Sequence, residues 1–401
     1  MDWHPRPSDR TPTPPAASTR RWVRHARHEA PLRPHQIDAP TGVTRTRGTG
    51  VAHSRTDGMI HLDGAAGEGG GQVLRSALTL SILTGQPFRI SRIRANRDKP
   101  GLKAQHLAAV EAAALVCGAE VMGGALGSTD LTFRPGPVVA RDVTLDIGTA
   151  GATALVLQTI ALPLALRADA GVRVALTGGT FNLAAPSFPF LDETWRRTMQ
   201  AVGMSVVLAM PRAGHFPVGG GVLEAWIEPA RLRPLVLEDR GALVRIHGIA
   251  ETTNLIPGIG VRMLDHARQA LRDLGHEPEI VRLDRPGPGR GAALGLVAEF
   301  EHGPPATFVG LGKQGKPAET VAAEAVAELV AHLDAPHGAL DLHNADQILL
   351  PLAFAEGRSV FTVTEVTEHL RTNVATIAAF LDRPIRLETT PGSPGGRVIV
   401  G

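Results

Sequence analysis

The chain has 401 residues, room for two or three domains, and 43% of them are hydrophobic, enough for a sizeable core. Aromatics make up only 4%, with no Tyr, so that core must rest on Ala, Val, Leu and Ile. The formal net charge is +2, and Cys117 as the single cysteine excludes an intrachain disulfide and a cysteine-based zinc site.

No segment has the roughly 18 consecutive apolar residues of a membrane span. The best candidate, Ala152–Leu166, is broken by Gln158, Thr159 and Pro163. The start of the chain has no signal-peptide apolar stretch, so a cytoplasmic protein without membrane attachment is expected. Lysine is rare: Lys99, Lys103, Lys313 and Lys316 fall in two short clusters, K-P-G-L-K and G-K-Q-G-K, while the other 37 basic residues are arginines.

Residues 1–56 are rich in Pro, Arg, Thr, Ser and His and lack an apolar period. Ten arginines against four acids give this stretch a net +6, leaving −4 for the remaining 345 residues. Such a composition predicts a disordered basic extension. A basic arm gripping RNA phosphates and an upstream start, with Met59 as the true first residue, are the alternatives.

From residue 57 a β-α-β-α-β-β order recurs, which predicts an α+β fold of three repeat units with a small inserted α/β domain. The first unit reads as strand Met59–Leu62, helix Gln72–Leu83, strand Phe88–Arg94, helix Leu102–Cys117 and a hairpin over Glu120–Phe133. The second reads as strand Val143–Ile147, helix Thr153–Leu166, strand Val172–Thr177, helix Phe190–Val202 and hairpin Ser205–Ile227. These two units span residues 57–238. The insertion, 239–338, has strands at Leu243–Ile246, Ile280–Leu283, Leu294–Phe300 and Phe308–Gly310. Its helices are Ile259–Leu274 and Pro317–Leu333, the latter opening on a proline at its first helical position. The third unit, 339–401, follows with strand Ala339–Leu342, helix Asp346–Ala355, strand Val360–Thr364, helix Leu370–Leu381 and hairpin Arg386–Val400.

Five segments carry chemistry. The first, L-D-G-A-A-G-E-G-G-G-Q-V-L-R-S from Leu62 to Ser76, runs from a strand through a glycine-rich loop into a helix. That layout offers backbone N–H groups and a helix N-terminus to an anion. It matches neither a Walker A loop nor a dinucleotide fingerprint. Glu68 could hold a divalent metal beside phosphates, and Arg75, one helical turn in, could reach them. The second, Arg92–Leu107, packs Arg92, Arg94, Arg97, Lys99 and Lys103 into 12 residues ahead of Gln105 and His106. Guanidinium forks suit phosphate oxygens, although a lone charge run usually marks a solvated loop. The third, D-I-G-T-A-G-A-T-A-L-V-L-Q-T, repeats the glycine-turn-then-helix pattern and leaves Gln158 either as a satisfied core amide or facing a ligand. In the fourth, H-N-A-D-Q-I-L-L-P from His343, Asn344 or Asp346 could cap a helix. The fifth, T-E-H-L-R-T-N, sets His369 near a helix N-terminus, where a neutral, nucleophilic imidazole is favoured. From spacing alone a structural His369 stays open beside a catalytic one.

Together, in order over about residues 59–401, these segments resemble the RNA 3′-terminal phosphate cyclase family. L-D-G-A-A-G-E-G-G-G-Q-V-L-R-S is the most specific; R-A-N-R-D-K-P-G-L-K-A-Q-H, A-D-Q-I-L-L-P and H-L-R-T-N support it. The resemblance implies ATP-dependent conversion of an RNA 3′-phosphate to a 2′,3′-cyclic phosphate through a covalent histidine–AMP. It carries the nucleophile onto His369 and the metal-binding carboxylate, for Mg or Mn, onto Glu68. ATP and phosphate contacts fall on Arg75, Arg94, Arg97, Gln105, His106, Gln158, His343, Asn344, Ala345, Asp346 and Gln347. His343 stands where the family has a Tyr, and Gly178–Ser187 follows the family's G-G-T motif only loosely. The implied partners are ATP and an RNA ending in a 3′-phosphate; a homodimer is a further expectation. Two other readings use the same fold: a non-catalytic RNA-processing or ribosome-biogenesis relative, and an enolpyruvyl transferase.

Overall fold

Apolar alternation and helix stops organise each unit. The structure, a computed structural model, describes residues 53–56, 58–67, 69–335, 338–389 and 391–401. The first unit holds β1 (His53–Thr56), β2 (Met59–Asp63), α1 (Gln72–Thr84), β3 (Phe88–Ser91), α2 (Ala104–Cys117), β4 (Glu120–Met122) and β5 (Leu131–Arg134). Ile60 and Leu62 point inward from β2 while Met59, His61 and Asp63 are half-buried, the period-2 pattern of a one-sided sheet. Gly85 ends α1 in the left-handed region at φ 72°, where a residue with a Cβ is strained. The sheet order is β1-β2-β3-β5-β4. β1 is a difference from the expectation for residues 1–56: its backbone pairs antiparallel with β2, His53 opposite Leu62. The rest of that extension lies outside the described residues.

The second unit repeats the plan with β6 (Val143–Asp146), α3 (Thr153–Arg167), β7 (Val172–Gly178), β8 (Val206–Arg212) and β9 (Gly221–Ile227), in the order β6-β7-β9-β8. Its second helix is not the single element expected over Phe190–Val202. α4 (Phe188–Phe190) passes through a π-helical turn, Leu191–Trp195, into α5 (Arg196–Ala201).

The third unit opens earlier than 339. β10 (Val236–Leu237) pairs parallel with the unit's second strand, Val236 opposite Val360, and Leu340 bridges to Val363 in the same parallel sense. The insertion therefore splits the first strand of the unit, and Ala339–Leu342 supplies a single bridge rather than a whole strand. The insertion comprises β11 (Leu243–Thr253), α6 (Pro257–Asp273), β12 (Glu279–Asp284), β13 (Gly291–Phe300), β14 (Ala306–Leu311) and α7 (Ala318–Asp334). Its sheet runs β12-β11-β13-β14. Pro317 is the residue preceding α7, not its first helical residue. α6 buries Gly260, Met263, Leu264, Ala267 and Leu271, a stripe at helical spacing that faces a core separate from that of the repeats. The third unit then continues with α8 (Leu349–Phe354), β15 (Ser359–Val363), α9 (Glu368–Phe380), β16 (Ile385–Thr389) and β17 (Gly396–Val400), in the order β10-β15-β17-β16. Leaving β1 aside, the three units share one strand order: first, second, fourth, third.

α1 packs against α2, α3 and α9, so helices of all three units meet around it. Ten of its 13 residues are buried. The polar residues it retains lie where the units converge.

Candidate active site

The glycine loop is shaped by close approach. Asp63, at the end of β2, accepts a hydrogen bond from the Ala65 N–H at 2.9 Å and pairs with Arg92. The chain then runs through the glycines into α1. A Cβ on Gly71 would lie 2.3 Å from His106 Nε2 and 2.8 Å from Arg75 Nη1; one on Gly67 would lie 2.2 Å from Thr372 Oγ1 on α9. Only glycine lets α2, α9 and the cation-rich loop close in on this turn. Asn96 holds the loop from the cation-rich side, its Nδ2 donating to the Ala65 carbonyl at 2.9 Å.

Beyond the loop is a cleft lined by α1, α3, α5, α8, α9 and the segment ahead of α8. Gln72, Arg75, Ser76 and Thr79 of α1 face it, as do Leu155, Gln158, Thr159 and Leu162 of α3. Both sets follow the i, i+3, i+4, i+7 spacing of one helix face. His369, the second residue of α9, stands exposed at the rim. Its Nδ1 lies 2.6 Å from Gln72 Oε1. The Gln72 amide is oriented by its other end, since Nε2 donates to Asp346 Oδ2 at 2.8 Å and to the His369 carbonyl at 3.2 Å. Oε1 is thus the end of the amide that faces the ring, and a proton on Nδ1 is the tautomer that this contact favours. His106 has the opposite tautomer: its Nδ1 accepts from the Lys103 N–H at 3.2 Å, so Nε2–H is a donor beside Gly71. Asn373 stitches the site together. It accepts from Ser76 Oγ at 2.6 Å and donates to the Asp346 carbonyl at 2.8 Å.

Burial and mutual charge set the electrostatics. Arg75 falls from 12.5 to about 10 because it is desolvated, with Asp346 opposing the shift. His106 falls to about 3 through burial and then the nearby Arg75, Arg94 and Lys103, so it is neutral at physiological pH. Asp346 rises from 3.8 to about 7 through burial, against the pull of Arg75 and the Gln72 hydrogen bond. Between those two values the folded state keeps a proton that the unfolded state releases. That contribution to stability is present below about pH 4 and is lost as pH rises toward 7. Asp346→Asn is therefore expected to flatten the pH dependence of unfolding and to be the more stable protein at about pH 8. The gain should be about 1–3 kcal/mol, less than the full shift implies because the carboxyl keeps some solvent contact. Denaturant unfolding at about pH 5 and pH 8 measures it; parallel pH profiles for the two proteins would contradict it.

The structure brings together His369, Arg75, Gln158, Asp346 and Gln347, with Gln158 Nε2 donating to Gln347 Oε1 at 2.5 Å. Gln158 is thus a cleft residue rather than a core amide. Gln105 and His106 lie in the first turn of α2, behind the glycine loop, and Gln105 Oε1 accepts from the Ala152 N–H at 3.1 Å. The guanidinium of Arg97 lies 3.5 Å from where Gly70 would carry a Cβ. Arg94 braces its own loop, donating to the Lys99 and Gly101 carbonyls at 2.7 and 3.0 Å.

The stretch His343–Gln347 splits. His343 turns into a second cleft, lined by Asp341, Phe308 and His332, with its ring edge-on to Phe190. Asn344 and Ala345 are buried behind the site. Neither Asn344 nor Asp346 caps α8, which is preceded by Ile348; Asp341 Oδ1 instead accepts from the N–H groups of His343 and Asn344. Asn344 Nδ2 donates to Thr198 Oγ1 at 2.8 Å, and Thr198 Oγ1 donates to the Thr194 carbonyl. Thr194 Oγ1 lies 2.8 Å from Thr307 Oγ1 in the insertion. A buried hydroxyl ladder thereby joins the insertion to the segment holding Asp346. Glu68 lies outside the described residues. Among the described residues no three His, Cys, Asp or Glu side chains gather as a metal site, and no helix is long and apolar enough to cross a membrane.

Gln72, Ser76 and Asn373 escaped the sequence reading. Gln72, Arg75, Ser76 and Thr79 form a polar stripe on an otherwise apolar helix, a signal that could have found the first two.

A family model described as RNA 3′-terminal phosphate cyclase matches residues 66–387. The chain belongs to the RNA 3′-terminal phosphate cyclase family. It is similar to the RNA 3′-terminal phosphate cyclase of Ralstonia nicotianae, 46% identical over 324 residues, 80% of this chain and 91% of the relative. The one from Pseudomonas fluorescens is 45% identical over 334 residues, 83% and 95% of the two chains. The Caldivirga maquilingensis protein is 41% identical over 333 residues, 82% and 94%. The match to the cyclase family reaches into all three units, covers the insertion, and takes in every cleft residue named above.

Proposed function

We propose that the protein converts the 3′-phosphate of an RNA to a 2′,3′-cyclic phosphate at the expense of ATP, with His369 as the covalent AMP carrier. The observation that supports this reading is the Gln72–His369 hydrogen bond, which favours the proton on Nδ1 and so makes Nε2 the nucleophilic nitrogen. His369 Nε2 bonds to the α-phosphorus of ATP as the bond to pyrophosphate breaks. Gln72 holds the proton on Nδ1 while the ring becomes cationic. Arg75, Arg97 and the His106 Nε2–H offset phosphate charge in a partly desolvated site, where such groups act most strongly. Gln158, Asp346 and Gln347 line the space for the nucleotide. A divalent ion, Mg or Mn, with Glu68 as its carboxylate would add charge neutralisation at the phosphates. The RNA 3′-phosphate then takes AMP from His369, forming an anhydride. The adjacent 2′-OH closes the ring and expels AMP, an intramolecular step favoured by proximity.

Incubation with α-labelled ATP followed by detection of labelled protein tests the first step. Neither a scaffold nor an enolpyruvyl transferase forms this adduct, and an unlabelled protein would end the reading. An RNA ending in a 3′-phosphate on a 2′-deoxy sugar tests the last step. Transfer of AMP needs only the phosphate, so this substrate is expected to accumulate as an RNA–adenylate visible by mass. Release of AMP from it as fast as from normal RNA would show that the 2′-OH is not the attacking group.

A further inference from the structure

The chain has 11 phenylalanines, and all but one are buried or half-buried. Phe216, in the loop between β8 and β9, is 79% exposed. Its loop is anchored on both sides. His215 is buried and stacks on Phe181, with centroids 4.7 Å apart and planes 6° from parallel. His215 Nε2 lies 3.3 Å from Thr253 Oγ1 of the insertion, and the Gly219 N–H donates to the His215 carbonyl at 2.8 Å. The Gly214 N–H donates to Thr180 Oγ1 at 2.9 Å. The outward ring thus sits on a fixed base.

The surroundings are basic and nearly devoid of larger apolar surface. Loop 285–291, R-P-G-P-G-R-G, packs against loop 213–220: the Ala213 N–H donates to the Pro286 carbonyl, and Gly289 lies beside Val218. Asn254 Nδ2 fixes this second loop through the Gly287 and Gly289 carbonyls. The loops 147–152, 178–187, 211–221 and 285–291 hold three arginines and no Asp or Glu. Arg285 is committed to Glu251 at 2.6 Å. Arg212 and Arg290 are exposed, and neither makes an ion pair among the described residues. The same surface reaches the candidate active site. Gly219 lies against Ala150, and the adjoining Ala152 is bonded to Gln105, the neighbour of His106.

We infer that Phe216 is a stacking platform for an unpaired base of the RNA upstream of its 3′-phosphate, with Arg212 and Arg290 holding the flanking backbone phosphates. The inference rests on the function proposed above. Single-stranded RNA is held by aromatic faces that stack bases and by cations that track the backbone. A face with exposed arginines and no acids complements a polyanion. The exposed apolar side chains here, Leu183, Phe216 and Val218, are too few to core a stable protein interface.

The test is direct binding, by fluorescence anisotropy, of a 3′-phosphorylated RNA of about eight nucleotides and of a 3′-phosphorylated dinucleotide, which offers the terminal phosphate with little upstream RNA. Phe216→Ala is expected to weaken the longer RNA about tenfold, the size of one base–aromatic stack. It should leave the dinucleotide and RNA-free labelling by α-labelled ATP unchanged, and Phe216→Trp should bind like the parent. Arg290→Ala should weaken the longer RNA and reduce the salt dependence of its binding; it serves if Phe216→Ala does not fold. Parental affinity of both variants for the longer RNA overturns the inference, as does an equal loss on the dinucleotide. A change of particle mass in Phe216→Ala with unchanged RNA affinity would assign the patch to a second copy of the chain. If the parent binds the RNA in a Phe216-dependent way but never labels with AMP, the proposed chemistry fails while the platform stands.

Discussion

Replacing His369 with alanine is expected to abolish labelling of the protein by α-labelled ATP while leaving its thermal unfolding near that of the parent. The side chain is exposed at the rim of the cleft, and α9 keeps its own N-terminal cap, with Thr367 Oγ1 accepting from the Leu370 N–H at 3.1 Å. The fold therefore has little to lose, whereas the proposed chemistry loses its nucleophile. Gln72→Ala should behave differently. The nucleophile remains but its tautomer and ring orientation are no longer held, so labelling should slow about ten- to hundredfold, a loss of roughly 1–3 kcal/mol in the transition state. The adduct on the parent should be acid-labile and alkali-stable, as a phosphoramidate is. Full labelling of the His369→Ala protein would move the nucleophile elsewhere.

Arg75→Ala and Arg97→Ala are expected to lower the rate of labelling a hundredfold or more, about 2–4 kcal/mol each, because each removes a cation beside the glycine loop where the proposed reaction gathers phosphate charge. Arg272→Ala is the comparison. Its side chain, on α6 of the insertion and outside the cleft lining, makes an exposed ion pair with Glu277 at 3.1 Å, and such pairs contribute little. Rates measured at saturating and limiting ATP separate the two arginines: an effect confined to limiting ATP marks ground-state binding, one that persists at saturation marks charge stabilisation in the reaction. Equal rates for all three variants would remove the phosphate site from the glycine loop.

Much of the architecture was legible because it is local. The strand-to-glycine-to-helix pattern at Leu62–Ser76, the cations of Arg92–Lys103 and the recurrence of β-α-β-α-β-β are all written in short-range periods and turn residues. The insertion was legible as a break in that recurrence. Its helices were readable to within two residues, and so was α1, expected over Gln72–Leu83 and found over Gln72–Thr84, because a glycine turn precedes it and Gly85 ends it.

Part of the candidate site's residue set, Arg75, Gln158, Asp346, Gln347 and His369, was legible one segment at a time, whereas Gln72, Ser76 and Asn373 were not. Its geometry belongs to the tertiary structure alone. His369 and Gln72 are 297 positions apart and meet only because α9 of the third unit packs on α1 of the first. The same packing decides that Gln158 faces the cleft, that Arg94 turns back on its own loop, and that His343 and Asn344 leave the site although Asp346 and Gln347 remain in it. The split first strand of the third unit is likewise a long-range fact: β10 is two residues long and is recognisable only by the partner strand beside it. Helical periodicity is set by hydrogen bonds four residues apart and can be read from one segment. Which face of each helix meets which neighbour is set by the packing of three units at once, and no single segment carries that information.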